Sequence, residues 1–199
     1  MCSSDLLQRD GRVERVEPLA RVHALFVPDD PLLKDQWHMN RIGASRAWDF
    51  ATGRGVTVAV VDTGIACETH GPFNKGTDLA QTACVEGWSF VSNSSHANDD
   101  QGHGSHVAGT IAQSTNNHLG ATGVAFDARL MPVKVLNEEG WGSTADVADG
   151  IRWAADHGAH VINMSLGGPR NSKILEDAVK HALAQGSIVV AAAGNSGGS

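Results

Sequence analysis

A histidine between two glycines, Gly102-His103-Gly104, stands in the stretch Asp99-Asp-Gln-Gly-His103-Gly-Ser-His106-Val-Ala-Gly109. Imidazole titrates near neutral pH and moves protons in both directions. Flanking glycines keep side chains from covering the ring, as a residue that must touch a substrate requires. His106, three residues on, also admits metal ligation, although no His-x-x-x-His or Cys partner nearby supplies the third ligand of zinc chemistry. One capping and one buried histidine would account for the pair structurally, with His106 the buried one. Three further residues of chemical interest each follow an apolar run. Asp62 opens Asp62-Thr-Gly64, Ser165 opens Ser165-Leu-Gly-Gly168, and Asn195 follows Gly194. An acid after a strand serves as a turn or cap as readily as a functional group, so position alone leaves Asp62 open.

The elements that must position these residues follow from patterning. The runs Val56–Val61, Leu130–Val135, Val161–Met164 and Ile188–Ala193 are short and apolar, as strands buried on both faces are. Between them, His103–Gln113, Thr144–His157 and Ser172–Gln185 read as helices. The second carries Val147, Ile151, Ala154 and Ala155 on one face behind Ser143 and Thr144. The third carries Ile174, Leu175, Ala178, Val179 and Leu183 behind Ser172. Strands alternating with helices predict an α/β fold, a parallel β-sheet flanked by helices on both faces. Ligands of such sheets bind beyond the carboxyl ends of the strands, where Asp62, Ser165 and Asn195 lie.

Composition narrows the partners. At 199 residues the chain is the size of one domain, and 41% hydrophobic content suits a packed core. With 15 Lys and Arg against 22 Asp and Glu, the net charge of −7 and the lack of a basic block argue against nucleic acid. The longest apolar run falls far short of the ~20 residues of a membrane span. The three cysteines, Cys2, Cys67 and Cys84, form no C-x-x-C pair. No apolar signal segment is readable at residues 1–25. Cys2-Ser-Ser-Asp-Leu6 matches the in-frame translation of a common sequencing adapter, so residues 1–11 are expected to be non-native; an ordinary polar N-terminus is the alternative.

Four motifs together, Val-Ala-Val-Val-Asp62-Thr-Gly-Ile, Gly-His103-Gly-Ser-His-Val-Ala-Gly-Thr-Ile-Ala, Asn-Met-Ser165-Leu-Gly-Gly and Val-Val-Ala-Ala-Ala-Gly-Asn195-Ser-Gly, resemble the subtilisin family of serine endopeptidases, thermitase-like members in particular. The resemblance covers Phe26–Ser199 and follows the family order of acid, then base, then serine. It implies that Asp62 is the triad acid, His103 the general base and Asn195 the oxyanion donor, with His106 structural. Such a base takes the proton of a serine hydroxyl and returns it to the leaving amine, while the acid fixes its tautomer. An oxyanion amide contributes about 10²–10³ in rate, the magnitude known from a subtilisin. Extended polypeptide substrates are expected to pair as an added strand with Gly140, Trp141 and Gly142 on one side and Ser165, Leu166 and Gly167 on the other, near Ala192 and Gly194. Trp141 is then exposed; otherwise it anchors a core.

The resemblance carries further expectations. The family's nucleophile lies in a G-T-S-M-A-type motif after the oxyanion Asn, and no serine here replaces it. The chain is therefore expected to be a truncated catalytic domain over residues 26–199, unable to hydrolyse peptides alone. Val13-Glu-Arg-Val-Glu17 and Val22-His-Ala-Leu25 resemble the last strand of the inhibitory propeptide, making 12–25 a propeptide tail, Leu25 the processing site and the chain's own propeptide a partner. Secretion follows, and in an oxidising compartment Cys67 and Cys84 could pair. One structural Ca²⁺ is implied, with carbonyls of Thr115, Leu119 and Ala121, the side-chain oxygen of Asn117, and the carboxylates of Asp30 and Asp78. A second, thermitase-like calcium site looks lost, since Ser89, Ser92 and Ser94 stand where its carboxylates fall. A monomer is expected. Two other classes stay open: a non-catalytic peptide-binding homologue, and a metal-dependent hydrolase using His103, His106 and Asp99 or Asp100.

Overall fold

The computed structural model describes residues 9–17, 26–168, 171–195 and 197. Five strands, β1 (Thr57–Asp62), β2 (Trp88–Ser89), β3 (Arg129–Lys134), β4 (Val161–Met164) and β5 (Ile188–Ala191), form one sheet in the order β2-β3-β1-β4-β5. Every pair is parallel, with Asp62 opposite Lys134 and Val60 opposite Asn163. All the carboxyl ends therefore meet along one edge.

Among the described residues five α-helices accompany them: α1 (Trp37–Ile42), α2 (Ala44–Ala47), α3 (His103–Ala112), α4 (Thr144–Asp156) and α5 (Lys173–Ala184). Residues of β1 are buried throughout, and alternation splits them between two cores. Ala59 and Val61 join Val133, Val147, Ile151 and Ala154 beneath α4, while Val58 and Val60 join Leu130, Ala108 and Ala112 beneath α3. The inward stripe of α3 is Gly104, Ala108 and Ala112, spaced by four, which brings the helix backbone close to the sheet. Ser143 caps α4 by accepting from Asp146 N at 3.0 Å. A third cluster, Met39, Ala44 and Trp48, packs with Phe26 and Phe126 below α1 and α2; none of this N-terminal layer is evident from the apolar runs.

The reading of every apolar run as a strand covered on both faces fails at β5. Ile188 is 61% and Val190 49% exposed, whereas Val189 between them packs on the α4 and α5 side. Register places Ile188 and Val190 on the α3 side, beside Val161 and Asn163, and among the described residues no helix crosses that face there. A run of apolar residues records what a strand can bury, not what lies over it.

Cys67 and Cys84 are joined, S–S 2.05 Å, across a separation of 17 residues, tying the segment after β1 to the approach to β2. Cys2 and Leu25 lie outside the described residues. Residues 9–17 form a turn in which Arg12 pairs with Asp10, and no strand occurs among residues 13–17 where the propeptide strand is expected.

Candidate active site

The first strand delivers Asp62 to the carboxyl edge with its side chain fully buried. Asp62 Oδ1 accepts from Thr63 N at 2.7 Å and lies 2.8 Å from His103 Nδ1, with Oδ2 at 3.0 Å. An ionised carboxylate only accepts, so the proton of this bond resides on Nδ1 and Nε2 is left with its basic lone pair. The His103 side chain is about half exposed, 48%, so Nε2 is open to a ligand while Nδ1 is not. A buried acid, an oriented imidazole and a free basic nitrogen together make a general base.

The positions of both groups are fixed by their neighbours. Gly102 starts α3 in the left-handed region at φ 106°. A Cβ on Gly104 would fall 2.1 Å from Gly64 O, and Gly104 N donates to Thr63 Oγ1 at 2.9 Å. The glycines beside His103 thus serve backbone conformation and close packing; the expectation that they merely leave the ring uncovered misses this cause. Asp99 Oδ1 accepts from Thr63 Oγ1, Gln101 N and Gly102 N, and Oδ2 accepts from Ser105 N. Burial pushes the Asp99 carboxyl up, but the hydrogen bonds from Ser105, Gly102 and Gln101 together outweigh it and hold the group below the ordinary carboxylate range.

Lys134, opposite Asp62 in register, is a site residue that the sequence reading passed over. Its buried ammonium donates to Thr63 O at 2.6 Å, Asp100 Oδ1 at 2.6 Å and Leu136 O at 2.9 Å. One cation therefore ties together the turn after the acid, the loop before the base and the start of the cleft rim. A lysine inside the apolar run Leu130–Val135 is the signal that could have found it, because lysine is almost never buried unpaired.

Beside His103 lies a cleft of ≈ 540 Å³ lined by Thr63, Gln101, Leu136, Glu139, Gly140, Trp141, Gly142, Ser165, Leu166, Gly167 and others. The two predicted substrate segments thus face one cavity, and Trp141 is exposed (74%) rather than a core anchor. Ala192, Gly194 and Asn195 follow β5 on the same edge of the sheet, exposed and outside the lining of this cleft. His106 is exposed rather than buried, because α3 turns Gly104, Ala108 and Ala112 inward and position 106 falls on the opposite side. The partners of Asp99, Asp100 and His103 are each internal, so the grouping required for a metal-dependent hydrolase is not assembled; among the described residues no three His, Cys, Asp or Glu side chains converge as metal ligands do.

Of the residues expected to hold calcium, Asp30, Asp78, Asn117 and Ala121 meet in one hydrogen-bonded cluster. Buried Asp30 accepts from Asn116 N, Asn117 N and Thr122 Oγ1, and Asp78 accepts from Ala121 N and Asn117 Nδ2. Two carboxylates thus face the 115–122 loop with only neutral donors as their hydrogen-bond partners, a donor set of hard oxygens that suits Ca²⁺. Asn117 presents its amide nitrogen to Asp78, so serving as a ligand would require its amide to turn over. Ser89, Ser92 and Ser94, in contrast, hydrogen-bond to one another.

Comparison with known proteins agrees with this geometry. Thermitase of Thermoactinomyces vulgaris is 44% identical over 173 residues, 86% of this chain and 59% of its own length. An alkaline protease of Alkalihalobacillus alcalophilus is 43% identical over 197 residues, covering 97% of this chain and 46% of its own. A cold-adapted subtilisin-like serine proteinase of known crystal structure superposes with a TM-score of 0.63 at 38% identity, over 74% of this chain and 49% of that one. The chain spans about half the length of the curated relatives it matches. The subtilase family profile (Peptidase_S8) matches residues 53–199, and with the parallel sheet and the Asp62–His103 pair already in place, the chain belongs to the subtilase family.

Proposed function

We propose that Asp62, His103 and Asn195 are the acid, base and oxyanion donor of a serine endopeptidase whose nucleophilic serine belongs to the G-T-S-type segment that follows in the family's order. The observation that carries this is the 2.8 Å contact between a fully buried Asp62 and His103 Nδ1, at the mouth of a cleft sized for an extended peptide. In the reaction, His103 Nε2 takes the proton of the serine hydroxyl as its oxygen bonds to the peptide carbonyl carbon. The imidazolium so formed is stabilised by Asp62, and its proton passes to the amine as the carbon–nitrogen bond breaks. Water then repeats the sequence on the acyl-enzyme and releases the acid. The Asn195 amide would donate to the carbonyl oxygen while it carries negative charge.

Asp30, Asp78, Asn117 and the carbonyls of Thr115, Leu119 and Ala121 would hold a calcium ion, which would cross-link the N-terminal segment to the loop after α3. Secretion and a propeptide ahead of Phe26 complete the reading; the disulfide supports an oxidising compartment. Hydrolysis of a chromogenic peptide by the 199-residue chain tests the division of labour. The expected result is background turnover that a serine-directed inhibitor leaves unchanged, and inhibitor-sensitive turnover would show that a serine within the chain serves as nucleophile.

A further inference from the structure

We propose that the loop Asn137–Trp141 forms a subsite for a cationic side chain, lysine or arginine, of a bound polypeptide, with Glu139 as its anion and Trp141 as its apolar wall. This rests on the reading of the cleft as a peptide groove and narrows the substrates that groove selects.

The loop is built as a rigid unit. Asn137 Oδ1 accepts from Glu139 N at 3.1 Å and from Trp141 N at 2.9 Å. Asn137 N donates to Trp141 O at 2.9 Å, and Gly140 N donates to Asn137 O, also at 2.9 Å. Gly140 makes the turn at φ 78°. One amide side chain therefore holds Glu139 and Trp141 on either side of a glycine, and both line the cleft. Gln101 joins this loop to the base: its Oε1 accepts from His103 N at 2.8 Å, and its Nε2 lies 3.7 Å from where a Gly140 Cβ would stand.

The chemistry of the lining is asymmetric. Leu136, Val147, Leu166 and Leu175 bring apolar surface from the core. Glu139 is the one carboxylate on the lining, exposed, and among the described residues no ion pair or hydrogen bond engages that carboxylate. Among the described residues no lysine or arginine lines the cleft, and the nearby Lys134 is committed to Asp100 and two carbonyls. A side chain with an aliphatic stem and a cationic head matches this arrangement, the stem against the indole and the head at the carboxylate. A carboxylate on the ligand would meet Glu139 with no lysine or arginine among the described lining residues to offset the repulsion.

Fluorescence anisotropy with labelled, blocked hexapeptides that differ only by lysine or norleucine at one position tests the proposal on the full chain. Norleucine keeps the stem and removes the charge. The expected result is that lysine at one position binds roughly threefold to tenfold more tightly at low salt. This gain should shrink at about 0.5 M salt, and the lysine-to-norleucine ratio should fall to near one in Glu139→Gln. Norleucine peptides that bind with no gain from lysine at any position would overturn the cationic subsite while leaving the groove standing. A ratio unchanged in a folded Glu139→Gln would overturn the assignment to Glu139. Failure of every peptide to bind would overturn the groove reading itself, and the subsite with it.

Discussion

Gly104→Ala should displace the helix that carries His103. The added Cβ would stand 2.1 Å from Gly64 O, so the helix must retreat at least 0.9 Å to reach the 3.0 Å that real contacts observe. That shift stretches the 2.9 Å bond from Gly104 N to Thr63 Oγ1 beyond hydrogen-bonding range, in a buried place where no water replaces it. Overpacking costs about 1–3 kcal/mol and the orphaned N–H about 1–3 more, while alanine returns about 1 kcal/mol of helix propensity. The net expectation is a destabilisation of about 1–5 kcal/mol. With a urea m-value of about 2 kcal/mol/M, the unfolding midpoint should fall by about 0.5–2.5 M. Gly109→Ala in the same helix is the control, because its Cβ would meet only the end of the Gln113 side chain, which can swing away. Its midpoint should stay level or rise, by up to about 1 kcal/mol in stability. A Gly104→Ala midpoint equal to that of Gly109→Ala would refute the argument that backbone approach places His103.

Lys134→Met removes the cation shared by Thr63, Asp100 and Leu136. It should cost about 2–4 kcal/mol in urea unfolding, less than a fully enclosed pair because Asp100 can return to water; a loss under about 0.5 kcal/mol would show that the three segments hold without it. Asp99→Asn should destabilise the chain at neutral pH. Because the folded Asp99 carboxyl is held below the ordinary value of 3.8, its contribution is present above that value and lost as pH falls through the lower folded one, so the gap between variant and parent should close in strong acid. A gap independent of pH would assign the loss to shape rather than charge. Chelator should lower the melting temperature of the parent, calcium should restore it, and Asp78→Ala should respond to neither; an unchanged parent would remove calcium from the Asp30 and Asp78 pair.

The sheet was legible because buried parallel strands leave unbroken apolar runs, and β1, β3 and β4 fall within a residue or two of the runs that announced them. The edge was not. Trp88–Ser89 is too short to form a run, and the exposure of Ile188 and Val190 depends on what covers β5, which strand periodicity does not encode. At the site, Asp62 and His103 were found by motif, but the reason for the flanking glycines lay in a tertiary contact between Gly104 and the backbone of Gly64. His106 was misplaced for a similar cause: the sequence carries its spacing, yet which side of α3 faces the sheet was decided by the small residues at 104, 108 and 112. Asp99 and Asp100, adjacent in sequence, do separate work because one faces backbone N–H groups and the other faces Lys134.

The central claim, that Asp62 and His103 form the acid–base pair of a peptide-bond hydrolase, is tested most directly by extending the chain through a G-T-S-type segment of the family. Peptide hydrolysis is then measured before and after His103→Ala. Members of a triad act as a unit, so the extended chain should turn over peptide and the variant should lose about 10⁴–10⁶ in kcat, the upper figure being the scale known for a subtilisin. An extended, folded and active protein that loses less than tenfold on His103→Ala would contradict the account.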